Sequence, residues 1–291
     1  MLLSAPAPAH PRARCQGTPP AAGSRKRQRR AGRFPREARH APRPFGAPRT
    51  GGAGGEHAYG STGMSESARI SSSATAWDGM AREYDGDRGH DPVYVACVRQ
   101  AVADLEPCGR VLDCGCGTGL ATPYLHAAER IDALDFSARM LEVVQAKFPG
   151  HRVRTRQGDV RALPYADRSF DRVLVANVLQ HLVPADQLRA AAEIRRVLKP
   201  GGRYAVTVHH FSLTKQRAHW KKQGRPGSHD GCDYIFRYTC EELAALFPNA
   251  RIRAVGFYRW PARSQLLLTR LAGHWLARRG HGHMLCAYGT R

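Results

Sequence analysis

The chain has 291 residues, 42% of them hydrophobic, which is enough to bury a sizeable core in one large domain or two small ones. Its formal net charge of +21 is unevenly distributed. Lys and Arg outnumber Asp and Glu by 12 to 2 in residues 1–63 and by 15 to 4 in residues 203–291, whereas residues 64–202 hold 18 of each. The chain is therefore not uniformly basic. Its middle part is predicted to be an ordinary folded region with no net charge.

The first 63 residues contain 9 Pro, 10 Gly and the run SRKRQRR, and they have no apolar periodicity. This composition predicts a disordered basic tail over 1–63 and a folded domain over 64–291. The run SRKRQRR fits either a solvated tail or a nuclear-localisation or nucleic-acid patch.

The sequence shows no convincing secretory signal, membrane span or metal-binding motif. The start MLLSAPAPA lacks the basic residues and apolar length of a secretory signal. The most apolar C-terminal stretch, QLLLTRLAGHWLARR, is interrupted by Arg270 and His274, so no membrane span is expected. The eight cysteines show neither CxxC pairs nor the His spacing of a zinc site, so no metal is expected either. A cytoplasmic protein is predicted.

From about residue 77, short apolar runs alternate with segments of helical period, the pattern of a parallel sheet covered by helices. Asp91 and Ser137 precede two of the helical segments and are predicted to cap them. The expected helices are 92–105, 120–128, 138–148, 185–198 and 239–247. The periodicity of the fourth predicts one apolar face formed by Leu188, Ala191, Ile194 and Leu198. The expected strands are 110–115, 130–135, 151–159, 170–178, 202–210, 251–258 and 282–290. The fold class is therefore α/β, a Rossmann-like doubly wound sheet that is mostly parallel, with an antiparallel C-terminal edge strand.

The stretch VLDCGCGTG (111–119) places glycines at 115, 117 and 119 directly after a strand. Such a turn presents free backbone N–H groups at the carboxyl edge of the sheet, where open α/β sheets bind ligands. Asp135 ends the next strand, 20 residues after Gly115, where a carboxylate can accept hydrogen bonds from ribose hydroxyls. The alternative is that Asp135 only complements the dipole of the following helix.

The motifs VLDCGCGTG, ALDFS, GDVRALPYADRSFD, VLVANVLQHL and RRVLKPGG, in this order, resemble class I S-adenosylmethionine-dependent methyltransferases. The likeness is closest to the small-molecule group of the methyltransferase type 11 kind that includes ubiquinone/menaquinone-biosynthesis C-methyltransferases. It covers about residues 77–210, the cofactor-binding core, and fades over the substrate-side region 211–291.

The resemblance implies S-adenosyl-L-methionine as cofactor and assigns each matching residue a role. Asp113 and the turn residues Gly115, Cys116, Gly117 and Gly119 would lie beside its methionine part. Asp135 would hold the ribose, Phe136 would lie against the adenine, and Asp159 and Val160 would meet the adenine edge. Asn177 would face the methionine part and the acceptor. The segment AWDGMAREYD resembles a part that closes over such sites, which makes Tyr84 a candidate lid residue, with ordinary packing as the alternative.

Methyl transfer from a sulfonium needs in-line approach in a dry pocket, and a protic acceptor would also benefit from a general base. His181 after the fourth strand, and His209 or His210 at the end of the fifth, are the candidate bases, because these strand ends face the ligand edge. Each of them could instead have a packing role.

A small-molecule acceptor is expected. The basic and aromatic stretch at 215–238 leaves an RNA (tRNA) acceptor open, and lipid-like or protein acceptors are further alternatives. The same stretch could equally be a lid over a small acidic substrate or a solvated connection. Two further classes remain as alternatives: an NAD-dependent oxidoreductase, which the GxGxG spacing disfavours, and a catalytically silent nucleic-acid-binding module, which the intact acidic residues disfavour.

Overall fold

A computed structural model describes residues 74–89, 91–211, 229–230, 233–257 and 262–291. The predicted disordered tail and residues 64–73 of the predicted domain lie outside them. Within the described residues the helices are α1 (Ala74–Met80), α2 (Tyr84–Gly89), α3 (Pro92–Leu105), α4 (Ala138–Lys147), α5 (Pro184–Val197), α6 (Cys240–Leu246) and α7 (Ala262–Arg278). The strands are β1 (Arg110–Cys114), β2 (Arg130–Asp135), β3 (Val153–Gln157), β4 (Phe170–Ala176), β5 (Leu198–His209), β6 (His229–Asp230), β7 (Asp233–Tyr234), β8 (Arg251–Val255) and β9 (Met284–Thr290).

Seven strands form one sheet in the order β3-β2-β1-β4-β5-β9-β8. The first five are parallel, and β9 and β8 are antiparallel to their neighbours. The Rossmann-like fold class is confirmed. The last strand, β9, lies inside the sheet, and β8 forms the edge, so the chain end is inserted between β5 and β8.

The helix caps follow the sequence. The Asp91 carboxylate accepts hydrogen bonds from the N–H groups of Val93 and Tyr94 at 2.8 and 3.2 Å, at the start of α3. The Ser137 hydroxyl accepts from the Met140 N–H at 3.1 Å, at the start of α4. Both caps place a helix beside the carboxyl edge of the sheet.

Two local expectations are wrong. The helix predicted after the glycine turn is only a 3₁₀ helix, Thr122–Leu125. The carbonyl groups of Leu125 and Ala128 accept hydrogen bonds from the Arg152 guanidinium instead of from a further helical turn. On α5, Ala191 and Ile194 are buried as the periodicity predicts, but Leu188 is 61% exposed.

Strand β4 is central, with Phe170, Val173 and Leu174 fully buried. Apolar side chains pack on both faces of the sheet, which fixes the strand ends that carry the site residues. Among the described residues, no helix is long and apolar enough to cross a membrane.

Candidate active site

The glycine turn after β1 has a backbone that only glycine adopts readily. Gly115, Gly117 and Gly119 have φ angles of 72°, 52° and 80°. The N–H groups of Gly115 and Cys116 both donate to the Leu134 carbonyl, at 2.7 and 2.9 Å. A Cβ atom on Gly115 would lie 2.3 Å from Cγ2 of Val178. The turn is therefore held against β2 and leaves no room for a side chain at Gly115.

Asp135 connects this turn to the next strand end. Its carboxylate accepts the Gly117 N–H at 2.8 Å and the Ser137 N–H at 3.0 Å. Burial has the largest effect on this carboxyl group and raises its pKa. The hydrogen bonds from Ser137 and Gly117 favour the charged form and lower the pKa by less. A carboxylate offers about four lone-pair positions, so Asp135 retains acceptor capacity for a ligand.

A cavity of about 300 Å³ lies over the turn. Such a volume is at the lower end of the range for small-molecule sites. Its lining includes nine of the ten predicted cofactor residues: Asp113, Gly115, Cys116, Gly117, Asp135, Phe136, Asp159, Val160 and Asn177. Gly119 is not among the lining residues, because it faces Val144 of α4 and Phe148 directly after this helix.

Among the described residues, two buried polar atoms in this lining have no hydrogen-bond partner: Oδ2 of Asp113 and Nδ2 of Asn177. Burial, with the nearby Asp135 charge, raises the pKa of Asp113 to about 7. Asn177 has a left-handed φ of 61° and is fixed by Thr207, whose hydroxyl donates to Oδ1 of Asn177 at 3.0 Å. An unpaired buried polar atom is costly, so an acceptor and a donor left open in a cavity favour a ligand that pairs with both.

Asp159 is held by its neighbour Arg161, whose Nε lies 2.8 Å from Oδ2 of Asp159. Burial alone would raise the pKa of Asp159, but the hydrogen bonds from Arg161 lower it below its ordinary value. Arg161 also reaches Asp186 at 2.8 Å. The carboxylate of Asp159 is therefore ionised and fixed in direction at the rim of the cavity.

The N-terminal helices form another wall of the cavity, with Trp77 and Tyr84 in its lining. Asp78 accepts from the Ser137 hydroxyl. Asp85 accepts from the Thr118 hydroxyl and forms an ion pair with Lys147. Two acids of α1 and α2 thus fasten this wall to the glycine turn and to α4.

Comparison with known proteins finds a family that matches part of the chain. The "Methyltransferase domain" family matches residues 112–206, which run from β1 to β5 and include the glycine turn, Asp135, Asp159 and Asn177. Residues 112–206, about a third of the chain, thus form a domain of the class I S-adenosylmethionine-dependent methyltransferase kind. S-adenosylmethionine is the cofactor class that this family implies.

Curated relatives of this methyltransferase domain resemble part of the chain. A demethylmenaquinone methyltransferase of Renibacterium salmoninarum is 42% identical over 101 residues, 34% of this chain and 41% of the relative. One of Streptomyces avermitilis is 32% identical over 139 residues, 46% of this chain and 58% of the relative. The chain spans about half the length of these relatives.

Solved structures share the fold. An S-adenosylmethionine-dependent methyltransferase from Thermotoga maritima aligns with a TM-score of 0.54 at 21% identity, over 75% of this chain and 99% of that one. The Burkholderia thailandensis 1,6-didemethyltoxoflavin-N1-methyltransferase, solved with its substrate and S-adenosylhomocysteine, aligns with a TM-score of 0.50 at 23% identity, over 75% and 88% of the two chains. At these identities the likeness establishes the fold alone.

The three candidate histidines occupy different places. His181 borders the cavity, with its ring 4.9 Å from the Trp77 ring, centroid to centroid. His209 does not border the cavity, and its ring contacts that of His283 at 5.5 Å. His210 is also outside the lining, with Nδ1 3.1 Å from the His281 carbonyl oxygen. Burial lowers the pKa of His210 to about 4.

Several lining residues of the cavity are not predicted from the sequence. The apolar part of the lining includes Tyr94 and Val98 of α3 and Leu182 after β4. Trp77 lies beside Tyr84 in the wall that the N-terminal helices form. Trp77 lies within the segment AWDGMAREYD that carried the resemblance, so it could have been named together with Tyr84. The residues of α3 carried no signal beyond amphipathic periodicity.

Proposed function

We propose that the chain transfers the methyl group of S-adenosylmethionine to a small, quinone-type molecule. The assignment of the cofactor rests on one observation. Two buried atoms without a partner among the described residues, Oδ2 of Asp113 and Nδ2 of Asn177, lie in one cavity beside the glycine turn. An amino-acid end group presents an ammonium donor and a carboxylate acceptor, which complement this pair. The acceptor half is supported by the names of the relatives, demethylmenaquinone methyltransferases.

In this proposal Asp113 accepts from the ammonium and Asn177 donates to the carboxylate. Asp135 accepts from the ribose hydroxyls with the lone pairs that Gly117 and Ser137 leave open. Phe136 and Val160 bracket the adenine, and Asp159 accepts from its exocyclic amine. The cofactor supplies an electrophilic methyl group on a sulfonium.

The aromatic residues Trp77, Tyr84 and Tyr94 are proposed to hold a flat acceptor. The acceptor atom forms a bond to the methyl carbon in line with the carbon–sulfur bond, which breaks, and the sulfur keeps the electron pair. His181 is the proposed base that takes the acceptor's proton, because it borders the cavity and His209 and His210 do not. A catalytic role of His181 predicts that His181→Gln lowers turnover while cofactor affinity is retained.

Isothermal titration of the full chain with S-adenosylhomocysteine tests the cofactor half. We expect micromolar binding that Asp135→Ala weakens by about 10- to 100-fold, because the charge-assisted hydrogen bonds of a buried carboxylate are lost. Asp167→Ala is the control, since Asp167 is an exposed acid whose ion pair is with Arg196. Equal affinity of the two variants would reject the assigned role of Asp135.

The acceptor half is tested by incubating the full chain with S-adenosylmethionine and a reduced 1,4-naphthoquinone that carries a short prenyl chain. Methylated product in the wild type and its loss in Asp135→Ala would support the proposal. Product from tRNA and none from the quinol would favour the RNA alternative, which relies on residues 215–238, mostly outside the described ones. The cytoplasmic location stays a prediction.

A further inference from the structure

Helix α7 presents a stripe of large apolar side chains to solvent. Leu267, Leu271 and Trp275 are 59%, 78% and 56% exposed. They are four residues apart, so they lie within an arc of about 80° on one side of the helix. Scattered exposed leucines are ordinary, but an aligned stripe that ends in a tryptophan is typical of an interaction surface.

The helix is fixed in this orientation by its opposite side. Thr269, Gly273 and Ala277 are buried at the same four-residue spacing. Gly273 packs so closely on β8 that a Cβ atom there would lie 3.2 Å from the Ala254 carbonyl oxygen. Rotation that buried the leucines would bring larger side chains against this backbone, so the apolar stripe must stay outward.

The charged residues of α7 and the one directly after it are all arginines. The last 41 residues, 251–291, contain eight arginines and no Asp or Glu. Arg270, Arg278 and Arg279 are exposed on or directly after α7. The Arg279 guanidinium lies 4.7 Å from the centroid of the Trp275 ring. The stripe therefore ends in cations placed beside an aromatic side chain.

We propose that α7 docks the protein onto an anionic lipid surface, with Leu267, Leu271 and Trp275 at the acyl boundary and the arginines on lipid phosphates. An amphipathic helix with Leu and Trp on one side and Arg beside them is suited to lie in the plane of such an interface. Nucleic acid would pair with the arginines but would leave the leucines in water. A second copy would bring like charges together. The proposal is independent of the methyl acceptor.

Sedimentation of the full chain with vesicles tests this surface. We expect binding to phosphatidylcholine vesicles that contain phosphatidylglycerol, and much weaker binding to phosphatidylcholine alone. Leu271→Gln should weaken the partition by about tenfold, because one large apolar side chain no longer leaves water. Leu188→Gln is the matched control, since Leu188 is 61% exposed on α5 and should leave the partition unchanged. Arg270→Gln with Arg278→Gln should weaken the preference for anionic lipid.

The basic segment 1–63 is present in every variant, so any attraction it adds cancels in the comparison of Leu271→Gln with Leu188→Gln. Equal partition of these two variants, or no binding by the wild type, would overturn the proposal. A concentration-dependent dimer that Leu271→Gln disrupts in the absence of vesicle binding would assign the surface to a second copy. A circular dichroism spectrum and a thermal unfolding midpoint like those of the wild type would show that each variant is folded.

Discussion

The indole of Trp77 meets the imidazole of His181 edge-on, with the ring centroids 4.9 Å apart. Trp77 belongs to α1, and His181 follows β4, so this contact joins the N-terminal wall of the cavity to the carboxyl edge of the sheet. The orientation of the proposed base thus depends on a residue that comes about 100 positions earlier in the chain.

Trp77→Ala should lower kcat/KM for the acceptor by about tenfold, because an edge-on aromatic pair contributes about 0.5–1.5 kcal/mol beyond its buried area. The affinity for S-adenosylhomocysteine should change by less than about twofold. Steady-state kinetics and calorimetry on the same preparation measure the two quantities. Trp77→Phe should restore part of the lost turnover. A parallel loss of cofactor affinity would instead make Trp77 a general structural residue.

Gly115→Ala and Gly201→Ala separate backbone strain from steric exclusion. Both glycines have nearly the same φ, 72° and 74°, but a Cβ atom would clash with Val178 at Gly115 and meets nothing within 4 Å at Gly201. Gly201→Ala should cost about 1–2 kcal/mol of unfolding free energy, and Gly115→Ala about 1–3 kcal/mol more. Urea unfolding measures both. Equal losses would mean that Val178 moves aside at no cost.

The sequence predicts which residues meet at the glycine-turn side of the cavity, because the determinants of that side are local. Gly115, Asp135 and Asn177 each lie at the end of a strand, and parallel strands bring these ends to one edge. The wall that contains Trp77 and Tyr94 is different, since these residues come from separate helices whose docking depends on tertiary contacts such as that of Asp78 with Ser137. No local pattern encodes those contacts.

The sequence pattern also does not predict where the last strand lies in the sheet. The runs at 251–258 and 282–290 read as strands, and both are strands, but periodicity does not state which one is at the edge. β9 pairs along its whole length with β5, from Arg203 with Thr290 to His209 with Met284. The edge strand β8 is covered by α7, which explains why a helix with small inward residues occurs there.

Asp85→Asn should loosen the N-terminal wall. Asp85 accepts from the Thr118 hydroxyl and pairs with Lys147, so the variant loses a partly exposed charge interaction of about 1 kcal/mol. Limited proteolysis within residues 74–89 should become several-fold faster. The control is Glu83→Gln, an exposed acid in the same segment. Equal cleavage rates of the two variants would show that Asp85 does not fasten this wall.

The acid Asp113 should make both stability and cofactor binding depend on pH. Its pKa in the folded protein is raised to about 7 from an ordinary value of 3.8, mainly by burial and then by Asp135. Between these values the folded protein keeps a proton that the unfolded chain has released. The free energy of unfolding therefore falls as pH rises through this window, by at most about 1.4 kcal/mol per pH unit from this group. Asp113→Asn should flatten the profile.

Binding of S-adenosylhomocysteine should reverse this protonation, because an ammonium beside Asp113 favours the carboxylate and lowers its pKa. The affinity should therefore rise between about pH 6 and pH 8, with net release of a proton near pH 6.5. Calorimetry in two buffers of different ionisation enthalpy measures the released proton directly. Asp113→Asn has the same shape but no titrating group, so it should bind more weakly and release none. If this variant released as many protons as the wild type, Asp113 would not be the residue that pairs with the ammonium.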